Sequence, residues 1–218
     1  MKKQRMDGLE TRRQLLSVAS EVFAKKGFRG ATIAEICQMA KANAAAVNYH
    51  FGSKESLYIE SWRYAFENSL KIYPPDGGVL PDASAEERLY GRILSIMRRI
   101  VDTKSHDFDI IHKEMANPTG LLTGIEESIE PIFHGLAAVI RELLGEWATE
   151  QQVRLCQMSV RAQCFGPLLR ARFQKTLVQS PKIPGLESIL EEDVKTLADH
   201  VTRFSLAGIR EIQEKKKG

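Results

Sequence analysis

Thr32-Ile33-Ala34-Glu35-Ile36-Cys37-Gln38-Met39-Ala40-Lys41-Ala42-Asn43-Ala44-Ala45-Ala46-Val47-Asn48-Tyr49-His50-Phe51 reads as two short helices joined by a three-residue turn. Thr32 followed three residues later by Glu35 is a capping-box signal and opens the first, about Ile33 to Ala40. Lys41-Ala42-Asn43 forms the turn, Asn43 can N-cap the second helix, about Ala44 to His50, and Gly52 closes it. A longer helix stands in front, about Leu9 to Lys26, with Leu16, Ala19, Val22 and Phe23 on one stripe and Gly27 ending it. This is the helix-turn-helix plan, in which the second helix enters the major groove.

The entering face runs from Asn43 to Phe51, His50 included. Ala44, Ala45 and Ala46 allow close approach and can touch thymine methyls, and Asn48 can meet a base edge or a phosphate. Tyr49, Lys54 and Thr32, the last at a helix N-terminus, suit phosphate oxygens, while Val47 and Phe51 belong to the core behind the helix.

Charge points the same way. Residues 1–52 hold nine Lys/Arg and four Asp/Glu, a balance of +5, and the rest hold 22 and 24, a balance of −2, giving +3 overall. That asymmetry suits a segment that meets phosphates, although a solvated basic face gives the same count.

Outward from the motif the signals stay helical, predicting an all-α fold. Ser53 caps a helix to about Ile72, and Pro74-Pro75-Asp76-Gly77-Gly78 breaks the chain. Ser84 with Glu87 is another capping box, opening a helix to about Val101. Residues 107–116 and 124–145 follow, the latter with Pro131 as a kink point, then Thr149 to about Leu177, where Gly166-Pro167 invites a kink or break. Gln179 to Gly185 reads as a loop, and Ser188 with Glu191 starts a last helix ending in Lys215-Lys216-Lys217. The expected division is a helix-turn-helix DNA-binding domain at 1–52 and a helical ligand-binding and dimerisation domain at 53–218, linked by helix 53–72.

The residues also resemble a known family. Gly27-Phe28, then Thr32, Ile36, His50, Phe51, Ser53, Lys54, Glu55 and Leu57, fit the pattern of the TetR family of transcriptional regulators over about residues 9–60. Asn43 takes the serine place, Val47 the leucine place and Asn48 the usual tyrosine place. Lys41 stands where the family has glycine; if that position needs positive φ, lysine is strained there by about 1 kcal/mol. Either the turn is altered or Lys41 adds a phosphate contact. The phrase from Val47 to Glu55 is similar to a subgroup whose C-terminal domain carries His-x2-Met-Ala-x-Pro-Thr, like His112 to Thr119.

The resemblance implies a helical regulatory domain that dimerises, encloses a small-molecule effector, and represses when empty. It implies double-stranded DNA as partner, read at a palindromic operator with half-sites about 34 Å apart. Val194, Leu197, Val201, Phe204 and Gly208 recur on one face of the last helix, and Val153, Cys156, Val160 and Cys164 on the helix before it. Those stripes suit an intramolecular core or a four-helix bundle across a two-fold axis; the resemblance implies the bundle, a homodimer through the last two helices. Pocket candidates are Met97, Phe108, His112, Met115, Phe133, His134, Arg161 and Phe165, each also readable as core or surface, with Arg99 and Arg161 as anion anchors. Trp62, Tyr64 and Phe66 are bulky groups along the linking helix.

No HExxH, Walker loop, GxSxG, dinucleotide fingerprint or tight Cys/His cluster occurs, so no catalytic residue, metal or cofactor is expected. Cys37, Cys156 and Cys164 form no CxxC and read as small buried residues, a reactive thiol being the alternative. No apolar run approaches the roughly 20 residues of a membrane span, and the basic start leads into polar sequence, so a cytoplasmic location is expected.

Overall fold

A computed structural model describes residues 2–174 and 193–214, with side chains from residue 8 onward except at 171, 173 and 174. The described residues form α1 (Lys2–Gly30), α2 (Ile33–Met39), α3 (Ala44–Phe51), α4 (Lys54–Ile72), α5 (Ala85–Val101), α6 (His106–Ala116), α7 (Ile125–Leu144), α8 (Glu150–Gln174) and α9 (Val194–Glu214), with no strand among them. The fold is all-α, with an N-terminal helix-turn-helix ahead of a larger helical part. No described helix is long and apolar enough to cross a membrane.

The chain forms two compact units. One contains residues 1–72 and 103–125, hence α1–α4 and α6; the other contains 73–102 and 126–218. This packing division differs from a cut at 52/53, because α4 packs on α1 and α6 inside the first unit. In that unit Leu15, Phe23, Ile36, Val47, Leu57, Tyr58, Trp62 and Ile110 are buried together. Phe23 meets Tyr58 edge-on at 4.9 Å, and Trp62 stacks on Phe66 at 5.0 Å, so two of the three bulky groups on α4 fill this core. Burying one such side chain is worth about 1.5–3 kcal/mol.

α1 starts earlier than expected and is interrupted where expected: Gly27 has φ 68 and ψ 176, outside the helical region, and one further turn follows it. Thr32 caps α2, its hydroxyl accepting from Glu35 N at 3.2 Å, but the expected capping box is only half made. The Glu35 carboxylate instead accepts from Lys26 Nζ at 2.5 Å. The Asn43 cap forms at 2.9 Å, and Ser53 accepts from Ser56 N at 3.1 Å. The Ser84–Glu87 box is complete.

In the second unit Leu89, Ile93, Met97, Ile100, Val139, Ile140, Val153, Val160, Ala198 and Ile209 form the core. Pro131 and Pro167 lie inside α7 and α8, and neither ends its helix. Tyr73 Oη donates to Asp102 at 3.3 Å, tying together the first and last residues of the 73–102 segment. The expected dimer stripes fare differently on the two helices. Val153, Cys156, Val160 and Cys164 on α8 are all buried in their own unit, since that face of the helix covers α5. On α9 the buried face is Ala198, Val201, Thr202, Ser205, Leu206 and Ile209; of the expected stripe Val201 is buried, Val194 and Leu197 are half-buried, and Phe204 and Gly208 are exposed. The Gln179–Gly185 loop, the Ser188–Glu191 cap and the terminal lysines fall outside the described residues.

Candidate DNA-reading edge and ligand cleft

The turn between α2 and α3 is a full αL stop. Lys41 N donates to Gln38 O at 3.3 Å and Ala42 N to Cys37 O at 3.0 Å, the paired bonds of a Schellman motif. Lys41 sits at its left-handed position with φ 50, the place where glycine costs least. The turn is therefore not altered; lysine accepts the strained conformation. Its side chain is exposed.

α3 is held from behind by Val47 and Phe51, both buried, and Arg12 lies over the Phe51 ring at 5.3 Å. The opposite edge is open: Asn43, Ala44, Ala45 and Asn48 are exposed, Ala46 and His50 half-buried, and Tyr49 is 84% exposed. Tyr49 and His50 meet edge-on at 4.9 Å. Thr32 is exposed at the start of α2, and Lys54 holds its ammonium 4.5 Å from the Phe28 ring centre. The structure thus brings all ten expected DNA contacts into one unit. The alanines leave a low, close-approach surface beside hydrogen-bonding Asn48 and Tyr49, the relief a helix needs in a major groove.

Beneath this reading head α6 is pinned by one carboxylate. Glu114 accepts from Tyr58 Oη at 3.0 Å, Thr119 N at 2.8 Å, Thr119 Oγ1 at 2.8 Å and Gly120 N at 3.0 Å. Burial pushes its pKa up, but these bonds outweigh it and hold the carboxyl below its ordinary 4.5. Burial, then the Glu114 charge, raises the Tyr58 phenol. His112 on the same helix is shifted down by burial and by Lys113, against Asp109.

The pocket candidates divide. Phe108, His112 and Met115 lie on α6 in the first unit, and Met115 is 66% exposed. Met97 is core, and His134 is exposed beside Glu130 at 3.5 Å. Phe133, Arg161 and Phe165 do come together, in a cleft between α5, α7 and α8 in the second unit, with Arg99 also on its wall. Arg161 Cζ lies over the Phe133 ring, 3.6 Å from its centre. Arg92 was missed by sequence reasoning. The signal was available: Arg92 and Arg99 interrupt the apolar stripe Leu89, Ile93, Ile96, Ile100 of α5, seven residues apart. Cys164 also lines the cleft, its thiol pushed up to about 12 by burial, so it is an unreactive wall. Cys37 and Cys156 are buried free thiols, likewise raised by burial. Among the described residues no group of His, Cys, Asp and Glu could hold a metal ion.

Two family models match this chain. One, described as the C-terminal domain of the HTH-type transcriptional dual regulator CecR, covers residues 85–209, more than half the chain. The other, bacterial regulatory proteins of the tetR family, covers residues 15–60, the reading head just described. The chain belongs to the TetR family of transcriptional regulators. Its similarity to the transcriptional repressor NicS of Pseudomonas putida is 47% identity over 49 residues, 22% of this chain and 23% of NicS. With the dual regulator CecR of Shigella flexneri it is 28% over 155 residues, 63% of this chain and 66% of that one. The chain thus spans from about a quarter to two thirds of these curated relatives. A TetR-like transcriptional regulator from Rhodococcus sp. RHA1 shares the fold, with TM-score 0.65 and 16% identity over 92% of this chain and 96% of the other. The TetR-type head accounts for the residues that fit in the sequence, and Lys41 remains this member's departure.

Proposed function

We propose that this chain is a homodimeric, non-enzymatic repressor in the cytoplasm that binds a palindromic operator and leaves it when a small molecule enters the cleft. One observation carries the reading: the Asn43–Tyr49 edge of α3 is solvent-facing and anchored by buried Val47 and Phe51. Residues 1–52, with Lys54 at the start of the linking helix, read the duplex, and the rest of 53–218 dimerises and binds the effector. Ala44–Ala46, Asn48 and His50 face base edges, and Thr32, Lys41, Asn43, Tyr49 and Lys54 face phosphates.

The dimer uses the faces of α8 and α9 left open by the core: Leu155, Met158 and Phe204, with small Ser159, Ala162, Ala207 and Gly208 between them. Large side chains beside small ones permit close helix packing. A two-fold dimer presents two reading heads, which one short helix needs for adequate specificity.

Coupling follows the chain. The cleft-lining helices α5 and α7 flank residues 103–125, which pack in the reading-head unit. Arg172, eleven residues after Arg161 on α8, donates to Ile100 O at 2.6 Å and Asp102 O at 2.9 Å, capping the C-terminus of α5 just before that crossing. A ligand that shifts α8 biases the entry into the head, and the change in operator affinity equals its differential affinity for the two states.

The test is selection of random duplexes on the purified chain, with sedimentation of the free protein. A palindrome and a dimer are expected. No sequence preference at moderate salt, or a monomer that binds a single half-site, overturns the reading.

A further inference from the structure

We propose that the effector is an amphipathic monocarboxylate, its hydrocarbon or aromatic body against the apolar wall of the cleft and its carboxylate between Arg92 and Arg161; this rests on the ligand-release reading above. Three arginines line the cleft, Arg92, Arg99 and Arg161, and no aspartate or glutamate does. The rest of the wall is mainly apolar, Ile93, Ile132 and Leu136 among it. Positive charge in an apolar cleft whose own wall carries no carboxylate is costly for the empty protein, because guanidinium does not deprotonate near neutral pH.

Two of the arginines are left incompletely bonded. Arg92 Nε and Arg161 Nε are buried and have no hydrogen-bond partner. Buried polar atoms of this kind are rarely orphaned without reason. Burial lowers the pKa of both guanidiniums; at Arg92 the Asp76 charge works against that and Arg88 adds to it. Asp76 is not a substitute ligand: it makes no ion pair with Arg92, and its Oδ1 accepts from Gly78 N at 2.8 Å.

Orientation selects the shape of the anion. Arg161 is held over the Phe133 ring, its Cζ 3.6 Å from the ring centre, which restrains its fork. Arg92 is seated against Gly135, where no side chain competes for the space. A planar, two-oxygen acceptor matches such forks by paired N–H···O bonds, and Arg rather than Lys is the residue for it. The empty space at the cleft, about 500 Å3 with the open solvent at its mouth included, lets the body of a ligand lie along the apolar wall and reach out to solvent.

The experiment uses the full chain and isothermal calorimetry with 3-phenylpropanoate and octanoate against their uncharged amides. At least one acid is expected to bind about tenfold or more tightly than its amide, a preference lost in Arg92→Gln and Arg161→Gln and only partly kept in Arg161→Lys. Acids and amides binding alike, or no acid binding at about 5 mM, overturns the proposal. The wild-type comparison needs no variant, so a misfolded mutant does not decide it. A fluorescent operator read in the same titration separates the two claims. Acid preference with unchanged operator affinity leaves the anion site standing and removes the release reading.

Discussion

Arg92 occupies the space that a side chain at Gly135 would need: a Cβ added there lies 2.5 Å from Arg92 Nη1 and 2.9 Å from Cζ. The helices α5 and α7 thus meet at the cleft through a guanidinium laid on a glycine. Because the blocking atoms are the far end of a flexible side chain, Gly135→Ala costs the fold little and moves the guanidinium. The expected outcome is a melting temperature within about 3 °C of wild type and a several-fold weaker 3-phenylpropanoate affinity by calorimetry. Undiminished affinity would show that Arg92 does not hold the anion.

Lys41→Gly tests a trade between stability and binding. Lysine holds φ 50 in the α2–α3 turn, so glycine relieves strain of about 1 kcal/mol, less the extra unfolded-chain entropy glycine brings. Denaturant melts are expected to show a gain of about 0.5 kcal/mol. If Lys41 meets a phosphate, operator affinity falls and the slope of log affinity against log salt flattens by about one. Stability gained with an unchanged slope means that lysine makes no phosphate contact.

Glu114 makes the reading head acid-sensitive. Its folded pKa is depressed, so its stabilisation is complete above the ordinary 4.5 and is lost as pH falls through the lower folded value. Chemical melts at pH 7 and pH 4 compare wild type with Glu114→Gln. The variant is expected to lose about 1–3 kcal/mol at pH 7 and to differ less from wild type at pH 4. Parallel losses at both pH values would refute the role of the charge.

Asn48 and Lys54 separate base from phosphate contact. Lys54→Ala is expected to weaken all duplexes alike and flatten the salt slope by about one. Asn48→Ala is expected to change the selected palindrome and to cost about 1–3 kcal/mol on the best site only. A uniform loss from Asn48→Ala would put that side chain on the backbone.

Arg172→Ala addresses transmission. It removes two bonds to the C-terminal carbonyls of α5 without touching the cleft wall. Effector affinity for the free protein is expected to change less than about twofold, while the factor by which effector weakens operator binding shrinks several-fold. An unchanged coupling factor would place the relay elsewhere.

The sequence alone determined the helix-turn-helix, because its information is local. Caps, a three-residue turn and an apolar stripe act within one or two helical turns, and Thr32, Asn43, Gly52 and Ser53 cap or close their helices as expected, although Glu35 leaves the Thr32 box half made by pairing with Lys26. The family's pattern even located the strained residue, Lys41, from its mismatch with a glycine. Tertiary structure decided the rest. Helix periodicity shows that a stripe is apolar but not what covers it. The α8 stripe that suited a dimer also suited a core and is core, while on α9 Phe204 and Gly208 of the expected stripe stay exposed and Val201 is buried. His112 and Arg161 were interchangeable as pocket candidates until packing placed one on α6 beneath the reading head and the other on Phe133 in the cleft. Arg92 became a candidate anion ligand only through packing, its guanidinium seated against Gly135, a neighbour 43 positions away in the chain.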